Sequence, residues 1–387
     1  MKTDELSIYV HIPFCVKKCS YCDFPSYTGR EEVFSDYAAA LCRQIDYCRD
    51  MLGRRKILSV YFGGGTPSLL PPEQISRILI RLEERFSFSH DAEISVEANP
   101  DTIREPELAL LRRIGFNRIS IGVQSPDDGI LREVLGRRHT CIEAERVLDA
   151  ARRAGFTNIN LDLLLGFPGE DQILREKTMK WLGGVFFTHI SLYMLHLAEN
   201  TPLAEKVSGG SLSLPDEDEV ADAYEKAAEF LGRMGYRRYE VSNFSLPGCE
   251  CRHNLHYWRY GPYLGLGASA VSRLEDRRWR NPDLDAYLKC ASGGYFPREE
   301  EEVLSFPKQL LERIMLALRT SEGLDLEGIS ESCGDWKGVL GGWGEMQTGG
   351  LLRIKHGRMS LTERGLLVMN EIVVGLCRTL LDKIAET

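Results

Sequence analysis

Six short runs rich in β-branched and aromatic residues recur along the first half of the chain: SIYVHI (7–12), KILSVYF (56–62), AEISVEA (92–98), FNRISIG (116–122), TNINLDLL (157–164) and HISLYML (189–195). Each of the first five is followed by a longer stretch whose apolar residues return every three or four positions, near 31–53, 72–86, 105–114, 141–154 and 171–182. The runs predict strands and the longer stretches amphipathic helices. Pro71-Pro72 and Glu105-Pro106 mark helix starts, because proline fits the first helical turn and disrupts later ones. Strands alternating with helices predict a parallel sheet, and right-handed crossovers curl such a sheet into a barrel. The fold class expected is α/β, a partial (βα)6 barrel over residues 1–200 with its site at the C-terminal ends of the strands.

The regularity stops near residue 200. SGGSLSLPDEDE (208–219) reads as an exposed connection with Asp216 opening a helix, and RRYEVSNF (237–244) as one more strand, so 201–297 is expected to complete the barrel. From 298 to 387, short helices, a hairpin at LLRIKHGRMSLT (351–362) and an amphipathic helix at 363–385 resemble a winged-helix module. This end of the chain carries no concentrated basic face, so the reading taken is a helical cap without a nucleic-acid role.

Composition bears more on the environment than on the fold. The 387 residues are 43% hydrophobic and 27% charged, which excludes fibrous, low-complexity and largely disordered chains. A net charge of −9 repels phosphate backbones, and no nucleic acid is expected as partner. Eleven cysteines, an odd number in so long a chain, argue against a disulfide framework and for a reducing cytoplasm. The start, MKTDELSIYV, has Asp4 and Glu5 where an export signal needs a basic segment and an apolar run. Trp181 to Ala198 lacks Asp, Glu, Lys and Arg over a length that just reaches a membrane span. Its Gly183-Gly184 break and the polar Thr188, His189, Ser191 and His196 fit a helix end, a turn and a buried strand instead.

Directly after the first strand comes Cys15-Val-Lys-Lys-Cys19-Ser-Tyr-Cys22. Three thiolates this close can wrap one soft metal centre, and on a four-iron cluster they leave one iron open. Zinc is the rival, although a structural zinc site wants four ligands and only His11 is at hand to complete one. Three unligated thiols are the plainer alternative; Lys17 and Lys18 are expected to lower their pKa and expose them to oxidation. Gly63-Gly64-Gly65-Thr66 follows the second strand, where missing side chains let backbone amides approach a bound group and Pro67 closes the turn. A plain tight turn has the same signature.

These residues resemble the radical S-adenosylmethionine (SAM) superfamily, whose signature is this cysteine spacing with an aromatic, here Tyr21, before the third cysteine. The blocks YVHIPFCVKKCSYCDF (9–24), FGGGTPSLL (62–70), VEANPDT (96–102), RISIGVQSPDD (118–128), LDLLLGFPG (161–169) and CRHNLHYWRYGPYLGLG (251–267) are similar, in family order, to the oxygen-independent coproporphyrinogen III oxidase family and to its heme chaperone branch. The resemblance implies a 4Fe-4S cluster on Cys15, Cys19 and Cys22, with SAM chelating the open iron and its amino group held at Gly64, Gly65 and Thr66. Glu97, Gln124 and Asp162, at strand ends, offer groups for a cationic sulfonium, an amine and ribose hydroxyls; a cap or an ion-pair partner is the plainer, less favoured alternative for each. Tyr9, Tyr21 and Arg137 join the SAM site by resemblance, with Arg138 adjacent.

The oxidase branch carries a fourth cysteine two residues beyond the third and a long N-terminal cover. Here position 24 is Phe and eight residues precede Tyr9, which counts against decarboxylation of coproporphyrinogen. The chaperone branch shares both departures and the block His253-Asn254-Leu255-His256-Tyr257-Trp258, whose imidazoles can ligate iron and whose aromatics can stack on a porphyrin. A packed loop is the plainer alternative for this block. His253 is the first choice of heme ligand and His256, one helical turn on, the second; Cys251, with Cys249 close behind, is another, and Arg252 could pair with a propionate. Cys42, Cys48, Cys141, Cys290, Cys333 and Cys377 read as small buried hydrophobes.

The expected function is a cytoplasmic heme chaperone that holds heme and the cluster and delivers heme to acceptor proteins, in part at the inner face of the membrane. A reductase or flavodoxin-type electron donor and a homodimer are the further partners considered. Its rivals are anaerobic coproporphyrinogen oxidation, reductive opening of heme, and tRNA modification, the last opposed by the acidic run Glu299 to Glu302.

Overall fold

The computed structural model describes residues 4–53, 55–328 and 344–386. β1 Glu5–Ile12, β2 Lys56–Gly64, β3 Ser87–Ala98, β4 Arg118–Gln124, β5 Asn158–Leu165 and β6 His189–Met194 pair in parallel in chain order. α1 Phe34–Leu52, α2 Pro72–Arg85, α3 Glu105–Arg113, α4 Cys141–Arg153 and α5 Gln172–Leu182 make the crossovers. Caps set their starts: Thr140 and Glu143 form a reciprocal box at α4, and Asp171 accepts from Leu174 N at α5.

Burial of both strand faces is what a helix-covered parallel sheet requires, but the two faces differ in kind. Ile8, Val10, Ile57, Val60, Ile119, Ile121, Leu161 and Leu163 are buried in the core shared with the helices. Ser7, Ser59, Ser95, Ser120, Asn160 and Ser191, on the alternate positions, are equally buried and polar. The inner face of the sheet is therefore lined with hydroxyls and amides, and instead of a packed barrel core it borders a cavity.

The barrel stays open because β1 and β6 each take another neighbour. β9 Tyr263–Leu266 pairs in parallel with β1, with Ser7 opposite Tyr263. Antiparallel β10 Val271–Leu274, β11 Arg277–Arg280 and β12 Glu299–Val303 extend this side. On the other side β8 Asn243–Ser245 runs antiparallel to β6, followed by β7 Arg237–Arg238. The single strand expected at 237–244 is thus a tight hairpin, with Tyr239 N donating to Asn243 O across the turn. β3 begins five residues earlier than its apolar run, at Ser87, where Lys56 faces it. The acidic run at 299–302 is neutralised by its neighbour strand: Arg278 pairs with Glu302, Arg277 with Glu301 and Arg280 with Glu300.

α6 Pro202–Ser208 and α7 Glu217–Arg233 follow β6, the latter capped by Asp216 as its sequence predicts. α8 Arg252–Trp258 and α9 Leu284–Ser292 flank β9 to β11. A second apolar core, with Leu310, Ile314, Leu324, Met359 and Leu376, unites α10 Phe306–Ala317 with β13 Leu324–Asp325, β14 Leu352–Lys355, β15 Arg358–Leu361 and the terminal helices. The hairpin turns at His356-Gly357, both with positive φ. The helix expected at 363–385 is broken at Val368 into Glu363–Leu367 and Met369–Glu386. Of the scattered cysteines, Cys48 is buried, Cys42, Cys141, Cys290 and Cys377 are half-buried, and Cys333 lies outside the described residues. Among the described residues no helix is long and apolar enough to cross a membrane.

Candidate functional site

The cysteine loop is closed at its base by backbone bonds, Cys15 N to Tyr27 O at 2.9 Å and Tyr27 N to Pro13 O at 2.7 Å. Its middle is pinned to the barrel rim by Ser20, whose N donates to Leu135 O and whose hydroxyl donates to Val134 O. Cys15, Cys19 and Cys22 are free and half-buried. Burial pushes the Cys15 and Cys22 thiols up, against the lowering expected from Lys17 and Lys18; Lys18 acts on Cys22 only as a minor opposing charge. The cation that touches the loop is Arg137, with Nη1 3.3 Å from Cys19 Sγ. Among the described residues no three Cys, His, Asp or Glu side chains converge on a single metal-ion position. A polynuclear cluster takes each thiolate on a different iron and does not ask for such convergence.

The glycine turn lies against this loop. A Cβ on Gly65 would fall 2.6 Å from Phe14 O and 3.0 Å from Cys15 Sγ, so only glycine lets the two segments meet. Gly64, at φ +118°, donates its N–H to Glu97 Oε2 at 3.0 Å, and Tyr61 OH donates to Glu97 Oε1 at 2.8 Å. Burial raises the Glu97 carboxyl to about 7. Asp162, also raised by burial, accepts from Asn160 Nδ2 at 2.7 Å and from Ser120 Oγ at 3.2 Å. Thr66 reaches the cluster loop, its hydroxyl 3.7 Å from Cys15 Sγ. Arg137 further donates to Asn99 Oδ1 and Gly122 O, beside the Gln124 amide, and Gln124 itself takes a positive φ of 69° at a register slip in β4.

A cavity of about 690 Å³ opens from this rim. Tyr9, Gly64, Glu97 and Asp162 line it; Tyr21, Thr66, Gln124 and Arg137 stand outside its walls, around the cysteine loop. His11, Tyr61, Arg118, Ser120, Asn160 and Ser191 also line it. Of these six, only His11 is named from the sequence, as a fourth ligand for the rival zinc site; the period-two alternation of all six with the apolar core positions is the signal that marks them. The far wall is aromatic and basic, with Tyr257, Tyr260, Tyr263 and Arg273, whose guanidinium lies 3.7 Å from the Tyr260 ring. Met315 and Leu316 of α10 close that end.

The block at 251–258 is α8, and Glu93 fixes its orientation. The Glu93 carboxylate accepts from Arg252 N at 3.0 Å, His253 N at 3.1 Å and Cys251 Sγ at 3.5 Å, capping the helix from a strand far away in sequence. His253 therefore faces the cavity. Its Nδ1 lies 2.9 Å from Ser59 Oγ and its Nε2 3.0 Å from Tyr257 OH, and burial holds its pKa down at about 3. The other residues expected beside a heme are placed elsewhere. Cys251 is fully buried against Glu93, outside the cavity, its thiol pushed up to about 12 by burial. Arg252 pairs with Asp91 at 3.0 Å on the exposed side, and His256 Nε2 meets Pro262 O at 2.7 Å instead of sharing the cavity with His253.

Residues 9–182 match the radical SAM superfamily model and residues 304–368 the HemN C-terminal domain model. The chain is 35% identical to the heme chaperone HemW of Mycobacterium tuberculosis H37Rv, over 98% of this chain and 96% of that one. It is 31% identical to the Bacillus subtilis HemW, over 95% and 97%, and 38% identical to the Escherichia coli HemW, over 71% of each. Among solved structures, the E. coli coproporphyrinogen III oxidase HemN, a radical SAM enzyme, superposes with a TM-score of 0.81 at 25% identity, covering 98% of this chain and 90% of that one.

Proposed function

The chain belongs to the HemW family of heme chaperones within the radical SAM superfamily, and from that premise we propose that it binds heme in the central cavity and passes it to acceptor proteins. The observation that carries this reading is His253: an imidazole kept neutral by burial, presented to a cavity that also has aromatic and cationic walls. Ligation through Nε2 requires only that Tyr257 OH release it, while Ser59 keeps Nδ1 engaged and the ring oriented.

Cys15, Cys19 and Cys22 would hold a 4Fe-4S cluster, which supplies, when bound, a redox couple and an open iron. Arg137 would lie against the cluster through Cys19, and Thr66 against it through Cys15. SAM would sit between that loop and the strand ends, its ammonium near Glu97 and its hydroxyls near Asp162. Tyr9 is bonded to His11 Nδ1 at 2.9 Å and closes the same wall. Phe24, 58% exposed at the cavity mouth, occupies the position of the fourth cysteine of the oxidase branch, and this speaks for the chaperone over decarboxylation. A cytoplasmic location, an electron donor and a homodimer complete the proposal. Cluster-loaded protein should take up one hemin per chain and form no protoporphyrinogen from coproporphyrinogen with SAM and reductant; the reverse result returns the chain to the oxidase branch.

A further inference from the structure

Arg118 is 2% exposed, lines the cavity, and has no hydrogen-bond partner at Nε or Nη1. Leaving a buried guanidinium without acceptors is costly, because its hydration is lost and nothing replaces it. The acids around it are committed elsewhere. Glu93 caps α8, Glu97 accepts from Tyr61 and Gly64, and Asp162 accepts from Ser120 and Asn160. Burial presses against the Arg118 charge, while the Glu93 carboxylate supports it, and the balance keeps it a cation. A fork-shaped donor of this kind, buried on the wall of a ligand-sized cavity, matches a carboxylate.

We propose that Arg118 anchors a carboxylate of the cavity's ligand, namely a propionate of the bound tetrapyrrole. The inference rests on the heme reading and adds the chemical handle by which the macrocycle is seated. SAM also carries a carboxylate. The Arg118 backbone opens β4, six residues before Gln124 at its other end, but its guanidinium lines the same cavity as Glu97 and Asp162 and acts on both carboxyls, so ligand titration is what tells the two carboxylates apart.

The test is titration of cluster-loaded wild type, Arg118→Gln and Arg118→Lys with hemin, hemin dimethyl ester and SAM. Losing a charge-assisted pair should weaken hemin binding to Arg118→Gln by roughly 10- to 100-fold, with Arg118→Lys between the two. Dimethyl ester should bind wild type about as weakly as hemin binds the Gln variant, and SAM affinity should be unchanged throughout. Equal wild-type affinity for hemin and its ester overturns the proposal, and this comparison decides even if the Gln variant does not fold. A loss confined to SAM assigns the carboxylate to SAM and overturns the propionate. Failure of wild type to bind hemin at all overturns the heme reading itself, and is seen before any variant is made.

Discussion

His253 and Tyr61 stack with ring centroids 5.1 Å apart at an interplanar angle of 26°, and the Tyr61 hydroxyl donates to Glu97. One short chain of contacts thus joins the imidazole proposed for heme to the carboxylate proposed for SAM. The two ligands would share a wall, and each can sense the other through Tyr61.

Replacing Cys15, Cys19 or Cys22 with Ala should abolish most labile iron and sulfide after anaerobic reconstitution. The loop base is held by backbone bonds at Cys15 and Tyr27, so the barrel should keep its circular dichroism and melt within a few degrees of wild type. Full sulfide in any single variant, or one tightly bound zinc in wild type, contradicts the cluster assignment.

Binding of SAM should weaken as pH falls. Glu97 has its carboxyl raised to about 7, so it is mostly ionised at pH 8 and mostly protonated at pH 6, and only the ionised form attracts an ammonium. Affinity measured by equilibrium dialysis should drop roughly tenfold over that interval in wild type. In Glu97→Gln it should be low and flat. A wild-type profile independent of pH removes Glu97 from the SAM site.

Glu240, buried with Oε1 unpartnered, is raised by burial from 4.5 to about 7. Its folded value lies above its unfolded one, so the stability it contributes is present below pH 4.5 and is lost as pH rises through 7. Glu240→Gln should therefore gain on the order of 2–3 kcal/mol relative to wild type between pH 4.5 and pH 8 in urea unfolding. Equal differences at both pH values contradict a titrating Glu240.

Because His253 is held down at about 3, ligation does not compete with a proton near neutrality. Hemin affinity should be flat between pH 5 and 8. Cys251→Ala should leave it within about twofold, since that thiol faces Glu93. A tenfold loss in Cys251→Ala would move the iron to the other side of α8.

The parallel strands and their helices are legible in the sequence because each strand is a local apolar run and each crossover a local amphipathic pattern. β9 is not: four residues inside GPYLGLG carry little strand signal, and their partner, β1, lies some 250 residues away. The cysteine loop is legible from spacing alone, whereas its cationic contact is not, because the neighbouring Lys17 and Lys18 look like better candidates than the distant Arg137. Which of Cys251, Arg252, His253 and His256 faces the cavity is set by Glu93, which turns α8 from across the barrel. Arg118 was hidden for a similar reason. In FNRISIG it looks like a strand-end charge bound for solvent, and only the folded barrel shows it buried on the cavity wall.

Anaerobic titration of cluster-loaded wild type and His253→Ala with hemin, followed by Soret absorbance, tests the central claim most directly. One hemin per chain with a shifted Soret band is expected for wild type, with affinity at least tenfold weaker in His253→Ala and SAM binding retained in both. Hemin binding unchanged by His253→Ala, together with SAM-dependent release of carbon dioxide from coproporphyrinogen, would contradict it.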